Sequence, residues 1–142
     1  MIVIDSSALL EVLLRSPRAP EIEKRIFATH ETLHAPYLID LEVAQVLRRY
    51  CISGEMTAAR GQEAIIDLLN LPVARYPHDI FLDRIWELRN NMTAYDAAFV
   101  ALAESLPAPL LTCDAKLAAT IGHRAKIDLI PKPQQGGFKR TS

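Results

Sequence analysis

The chain holds only two cysteines, Cys51 and Cys113, far apart and in no CxxC pattern. That argues against a zinc ribbon or a thioredoxin-type redox site, and both thiols are expected to be buried and reduced. The four histidines, His30, His34, His78 and His123, form neither an HxH nor an HExxH pattern, so a zinc hydrolase is poorly supported. No stretch approaches the roughly 20 apolar residues that cross a bilayer. The apolar start has no basic leader, and Asp5 and Glu11 interrupt it, so it does not read as a signal peptide. Strong charge of one sign is missing too: Lys and Arg number 16 against 17 Asp and Glu, for a net −1. Any surface for nucleic acid must therefore be local.

What remains is an ordinary globular composition. Half of the 142 residues are hydrophobic and 23% are charged, enough for one domain with a sizeable core. The composition suggests a cytoplasmic protein. No internal repeat and no second domain are visible; residues 1–131 read as the domain and 132–142 as a polar tail, exposed or disordered.

Short β-like runs alternate with helical ones. Ile2–Ile4, Leu33–Pro36, Val73–Tyr76, Ala108–Asp114 and the "KIDLI" run read as strands. Ser7–Leu14 (with a serine N-cap), Glu21–Ala28, Leu38–Ile52, Ala58–Leu69, Ile80–Asn90, "TAYDAAFVALAESL" and "AKLAATIG" read as helices, with Gly54 placed as a C-cap. This alternation implies an α/β fold with a mostly parallel sheet covered on both faces.

In such a sheet, ligands bind at the carboxyl ends of the strands. Asp5 ends the first strand and Asp114 follows "PLLT", so both acids belong to one edge. Asp96 lies in the first turn of its helix, where it could join them. Each acid also has a plain structural role open to it. Thr93-x-x-Asp96 matches a capping box with Asp for Glu, Asp114 could cap "AKLAA", and Asp5 could bond the turn of Ser6 and Ser7. Capping and cation binding are compatible, because a helix dipole favours the ionised carboxylate. Acids converging without His or Cys point to Mg²⁺ or Mn²⁺. In "PYLIDLEVAQVLRRY", Asp40 and Glu42 lie about 200° apart around a helix. They cannot both face one pocket. Glu42 shares its face with Gln45 and Arg49, and geometry favours it.

These pieces resemble the PIN-domain family, and specifically the VapC-type ribonuclease toxins of bacterial toxin–antitoxin pairs. "IVIDSSALLEVL", "APYLIDLEVAQVLRR", "TAYDAAFVALAE" and "LTCDAKLA" resemble the family's acidic segments in the family's order, and the resemblance runs from Met1 to about Ile130. It implies a three-layer α/β/α PIN-like domain and a magnesium- or manganese-dependent endoribonuclease. It assigns the acidic quartet to Asp5, Glu42, Asp96 and Asp114, with Ser7 and Thr112 as polar neighbours that orient the acids. It also implies a homodimer and a small antitoxin whose tail blocks the acidic pocket with a basic side chain.

The chemistry expected is attack of a metal-activated water on an RNA phosphodiester, leaving 5′-phosphate and 3′-hydroxyl ends. Arg15, Arg18 and Lys116 lie near the expected edge and are candidates to meet RNA phosphates. Three rival readings stand beside this one. A phosphorelay receiver needs an acidic pair after the first strand, where this chain has Ser6 and Ser7 after Asp5. A D-x-D-type phosphatase would need a second Asp where Ser7 stands. An inactive PIN-fold protein-binding module has no use for an intact quartet.

Overall fold

The computed structural model describes residues 1–133, so most of the polar tail expected after Pro131 lies outside the described residues. Among the described residues, five strands form one sheet: Ile2–Ile4 (β1), Leu33–Pro36 (β2), Val73–Tyr76 (β3), Leu110–Thr112 (β4) and Ile127–Leu129 (β5). Their spatial order is β3-β2-β1-β4-β5, and every pairing is parallel, with Val3 opposite His34 on one side and opposite Leu110 on the other. The sheet expected to be mostly parallel is wholly so. Parallel strands need long crossovers, and here helices supply them. The helices are Ser6–Leu13 (α1), Ala19–Ile26 (α2), Leu38–Ser53 (α3), Ala58–Asn70 (α4), Leu82–Glu87 (α5), Ala94–Ser105 (α6) and Ala115–Ala118 (α7).

All three residues of β1 are buried, as are all three of β4, so both faces of the sheet centre are covered. The small side chains of α6 serve the same end. Ala97 through Ala103 are all buried, and the helix lies close against β1, β2 and β4. From β1 the chain steps outward through β2 to β3, then returns to the other side of β1 to lay down β4 and β5. Right-handed crossovers in opposite directions place their helices on opposite faces. The reversal falls between β1 and β4, and the carboxyl ends of those two strands flank the crevice it opens.

Several local expectations shift. Asp5, not a serine, is the N-cap of α1, and the helix starts at Ser6. Helix α2 begins at Ala19, two residues early, because Pro20 fits a first turn, where its missing N–H costs nothing. The Ile80–Asn90 helix is a 3₁₀ turn over Asp79–Phe81 followed by the six-residue α5. The core there takes Phe81, Ile85 and Leu88, spaced four and then three apart, and leaves Ile80, Leu82 and Trp86 exposed. Both cysteines are free but only half-buried, not buried as expected. Gly54 does close α3, in the left-handed region at φ 83°.

Candidate active site

The site grows from the last residue of β1. The backbone N–H of Asp5 bonds Leu111 O at 3.1 Å, which ties it to β4, while its carboxylate caps α1. Oδ1 accepts from Ala8 N at 3.0 Å and from the Ser7 hydroxyl at 2.7 Å. Oδ2 accepts from the Thr112 hydroxyl at the end of β4. The two hydroxyls are themselves fixed. Ser7 Oγ accepts from Cys113 N and Thr112 Oγ1 from Asp114 N, each at 2.9 Å. Each hydroxyl owns one proton, and both protons are spent on Asp5. The carboxylate is thereby held at the junction of two strands, and Asp5 is only 5% exposed. Ser7 and Thr112, singled out in the sequence, are the residues that position it.

Asp114 follows at the carboxyl end of β4 and caps α7, accepting from Lys116 N at 2.9 Å and Leu117 N at 3.4 Å. Asp96 stands in the first turn of α6. Only half of the expected capping box forms there: Asp96 N donates to Thr93 Oγ1 at 3.1 Å, and among the described residues no backbone N–H reaches the Asp96 carboxylate in return. Glu42 projects from the second turn of α3 and is steadied by the Ser6 side chain. Asp40, around the same helix, forks onto Arg75 at 2.7 and 2.8 Å and so belongs to an ion pair away from the acids.

The electrostatics tie the four acids together. Burial pushes the Asp5, Glu42 and Asp96 carboxyls above the ordinary carboxylate range. Neighbouring charge adds to it. Asp5 feels Asp114, Asp96 feels Asp114, and Glu42 feels both Asp96 and Asp5. These repulsions close a ring, Asp5–Asp114–Asp96–Glu42. None of the ion pairs among the described residues uses any of the four. Nor do any three His, Cys, Asp or Glu side chains among the described residues stand ready-clustered as a metal cage. The donor set is all oxygen, no ion pair among the described residues takes up the anionic charge, and a hard divalent cation fits both facts.

The candidate phosphate contacts separate. Lys116 and Arg18 line one hollow with Asp114, but the Arg18 side chain is only 11% exposed and leans on Glu11 at 3.7 Å. Arg15 lies past the far end of α1, in a hollow with Asp67 and Asn70. Eight helical residues, about 12 Å, separate that end from Asp5, so the expectation that Arg15 lies near the acids is corrected. On the other side of the acids is a hollow of about 420 Å³ that the sequence reading did not assign, lined by Ser6, Glu42, Gln45, Arg49 and Tyr95 among others. Its signal was present in the sequence: Gln45 and Arg49 share the Glu42 face of α3, and Tyr95 adjoins Asp96.

A wholly parallel sheet with acids gathered at its reversal point defines a class, and comparison with known proteins gives that class its name: residues 2–122 match the PIN domain, and the chain belongs to that family. Within it the chain groups with the VapC ribonucleases. It is 39% identical over 130 residues to Ribonuclease VapC12 of Mycobacterium tuberculosis, covering 92% of this chain and 99% of that one. It is 40% identical over 132 residues to Ribonuclease VapC9 of the same species, covering 93% and 100%. The solved structure of VapBC2 from Rickettsia felis bound to a DNA fragment from their promoter shares the fold, with a TM-score of 0.67 over 91% of this chain and 98% of that one at 12% identity.

Proposed function

We propose that this protein is a divalent-metal-dependent endoribonuclease, the toxin of a toxin–antitoxin pair, and that Asp5, Glu42, Asp96 and Asp114 form its catalytic centre. The observation that carries the reading is the ring of four mutually repelling carboxylates, none of which is held in an ion pair among the described residues. The likeness of the chain to the VapC ribonucleases, over more than nine-tenths of its length, supports the ribonuclease part of the reading.

The four acids would hold Mg²⁺ or Mn²⁺, which supplies an activated water and neutralises charge growing on the phosphate. The remaining work falls to the chain itself. Ser7 and Thr112 lock Asp5 in one orientation by donating to both of its oxygens. The dipole of α6 favours an ionised Asp96, and Thr93 Oγ1 caps the helix start by accepting from Asp96 N. Glu42 enters from α3, so the ligands come from four separate elements. Hydrolysis by water leaves a 5′-phosphate and a 3′-hydroxyl and makes no demand on the 2′-hydroxyl.

The partners follow from the same surfaces. An antitoxin segment carrying a basic side chain would satisfy the acidic ring and block it. Leu82 and Trp86 are exposed four residues apart on one face of α5, with Ile80 exposed just before it, apolar surface suited to a homodimer. Among the described residues no helix is long and apolar enough to cross a membrane. Purified protein should cleave RNA with Mg²⁺ or Mn²⁺, poorly with Zn²⁺, and not at all in excess EDTA. Full activity in EDTA would overturn the proposal.

A further inference from the structure

The acidic ring poses a problem for its own substrate. A phosphodiester is an anion, and four carboxylates repel it; even with a cation bound, the ring offers little net attraction. Affinity must come from beside the ring. On the Asp114 side, Lys116 and Lys132 border a hollow. On the Glu42 side, the 420 Å³ hollow presents two side chains with no duty inside the protein. Tyr95 is 63% exposed, and among the described residues its hydroxyl makes no hydrogen bond. Arg49 is exposed and belongs to no ion pair among the described residues, whereas Arg18, Arg25, Arg75, Arg84 and Arg124 do.

Their placement relative to the acids is specific. Tyr95, in the first turn of α6 beside Asp96 in sequence, lines the same hollow as Glu42 and Ser6, so its ring stands next to one of the four acids. Arg49 lies seven residues beyond Glu42 on the same face of α3, about 10 Å along the axis, with Gln45 between them. An aromatic face next to the reacting position and a cation one or two nucleotides away are what a single strand of RNA needs: stacking for a base and a charge for a phosphate. A neighbouring hollow of about 210 Å³, which Tyr95 shares with Leu38, Leu82 and Ile85, is apolar and suits a protein surface. The Glu42 hollow also has Leu38, Leu41 and Val46 in its wall, but of the two it alone sets an amide and a guanidinium beside Glu42.

We infer that Tyr95 and Arg49 form a nucleotide subsite beside Glu42, with Tyr95 stacking on the base next to the scissile phosphate and Arg49 holding a flanking phosphate. The inference rests on the ribonuclease reading and deepens it. The test uses the full-length protein in Mg²⁺ with a short fluorescein-labelled single-stranded RNA of mixed sequence. Wild type, Tyr95→Ala, Tyr95→Phe, Arg49→Ala and Arg49→Lys are compared by steady-state cleavage, and by anisotropy in an Asp96→Asn background. Melting curves establish that each variant folds.

Tyr95→Ala should raise KM about tenfold with kcat little changed, and Tyr95→Phe should restore it, because the stack needs the ring and not the hydroxyl. Arg49→Ala should weaken binding and reduce the slope of log affinity against log salt by about 0.7, the share of one phosphate contact to a single strand, and Arg49→Lys should recover that slope. Unchanged KM and salt slope in an actively cleaving protein would overturn this subsite and leave the ribonuclease reading standing. Loss of dimers on Tyr95→Ala with RNA affinity intact would assign Tyr95 to a protein interface and overturn the inference. A wild type that neither cleaves nor binds the RNA would overturn both.

Discussion

At the scale of single residues, position around a helix decides between neighbouring acids. Asp40 and Glu42 are two apart in sequence, yet one forks onto Arg75 and the other feels Asp5 and Asp96. Glu42→Gln should therefore abolish RNA cleavage with the melting temperature kept. Asp40→Asn should keep cleavage and cost about 1 kcal/mol or less in urea unfolding, since the carboxylate is 38% exposed and solvent screens the pair. The reverse pattern would place the wrong acid in the site. The helix phase behind this pair was legible in the sequence, because 100° per residue needs no tertiary knowledge. The capping of α1 was not. Ser6, Ser7 and Asp5 are all good caps, and Asp5 takes the role because Thr112, from the far end of the chain, fixes its carboxylate in place. Arg15 was misplaced for a related reason: nearness in sequence to Asp5 is undone by the length of α1, which carries the chain about 12 Å from that acid.

At the scale of elements, the strands were the easiest to read. β1, β2 and β3 were bounded in the sequence by Asp5, by Pro36 and by the "NLP" break, and short apolar runs between such stops have few other forms. Helix α5 was harder, because Ile80, Leu82 and Trp86 are as apolar as the residues the core takes. Only packing against α6 shows which face turns inward. That packing is pinned by Arg84, which grips Glu104 of α6 through two bonds of 2.8 and 2.9 Å. Glu104 also accepts from Arg124 N at 2.7 Å, and the guanidinium beside it holds its carboxyl below the ordinary range. The Glu104 side chain is 4% exposed and that of Arg84 24%. Glu104→Gln should cost about 2–3 kcal/mol, somewhat below a fully buried pair because Arg84 retains some water. Because the folded carboxyl titrates below its unfolded value, the pair's stability is present above the ordinary carboxylate pKa and lost as pH falls through the folded one. The urea midpoint of wild type and variant should therefore converge in acid. A constant gap across pH would contradict the ionic account of this contact.

At the scale of the whole molecule, the acidic ring is a cost that the fold bears for its chemistry. Asp5, Glu42 and Asp96 titrate above their unfolded values, so at these three groups the folded protein binds more protons than the unfolded chain. Stability from these groups is present at low pH and falls as pH rises from about 4 through the raised values. A bound cation should reverse that loss. The melting-temperature gain on adding Mg²⁺ should be small near pH 4 and grow toward neutrality, and a gain independent of pH would argue against carboxylate ligands. The central claim is that these acids serve a cation and not merely their helices, and Asp96 separates the two roles best. Asn keeps the shape and an oxygen acceptor, and loses only the charge, at about 0.3–1 kcal/mol of helix stabilisation in a domain worth about 5–15 kcal/mol. The deciding measurement is the Mg²⁺-dependent RNA cleavage rate of Asp96→Asn, taken on the same preparation as its melting curve. The account predicts a folded protein whose cleavage falls by several orders of magnitude; a folded Asp96→Asn that cleaves at the wild-type rate would contradict it.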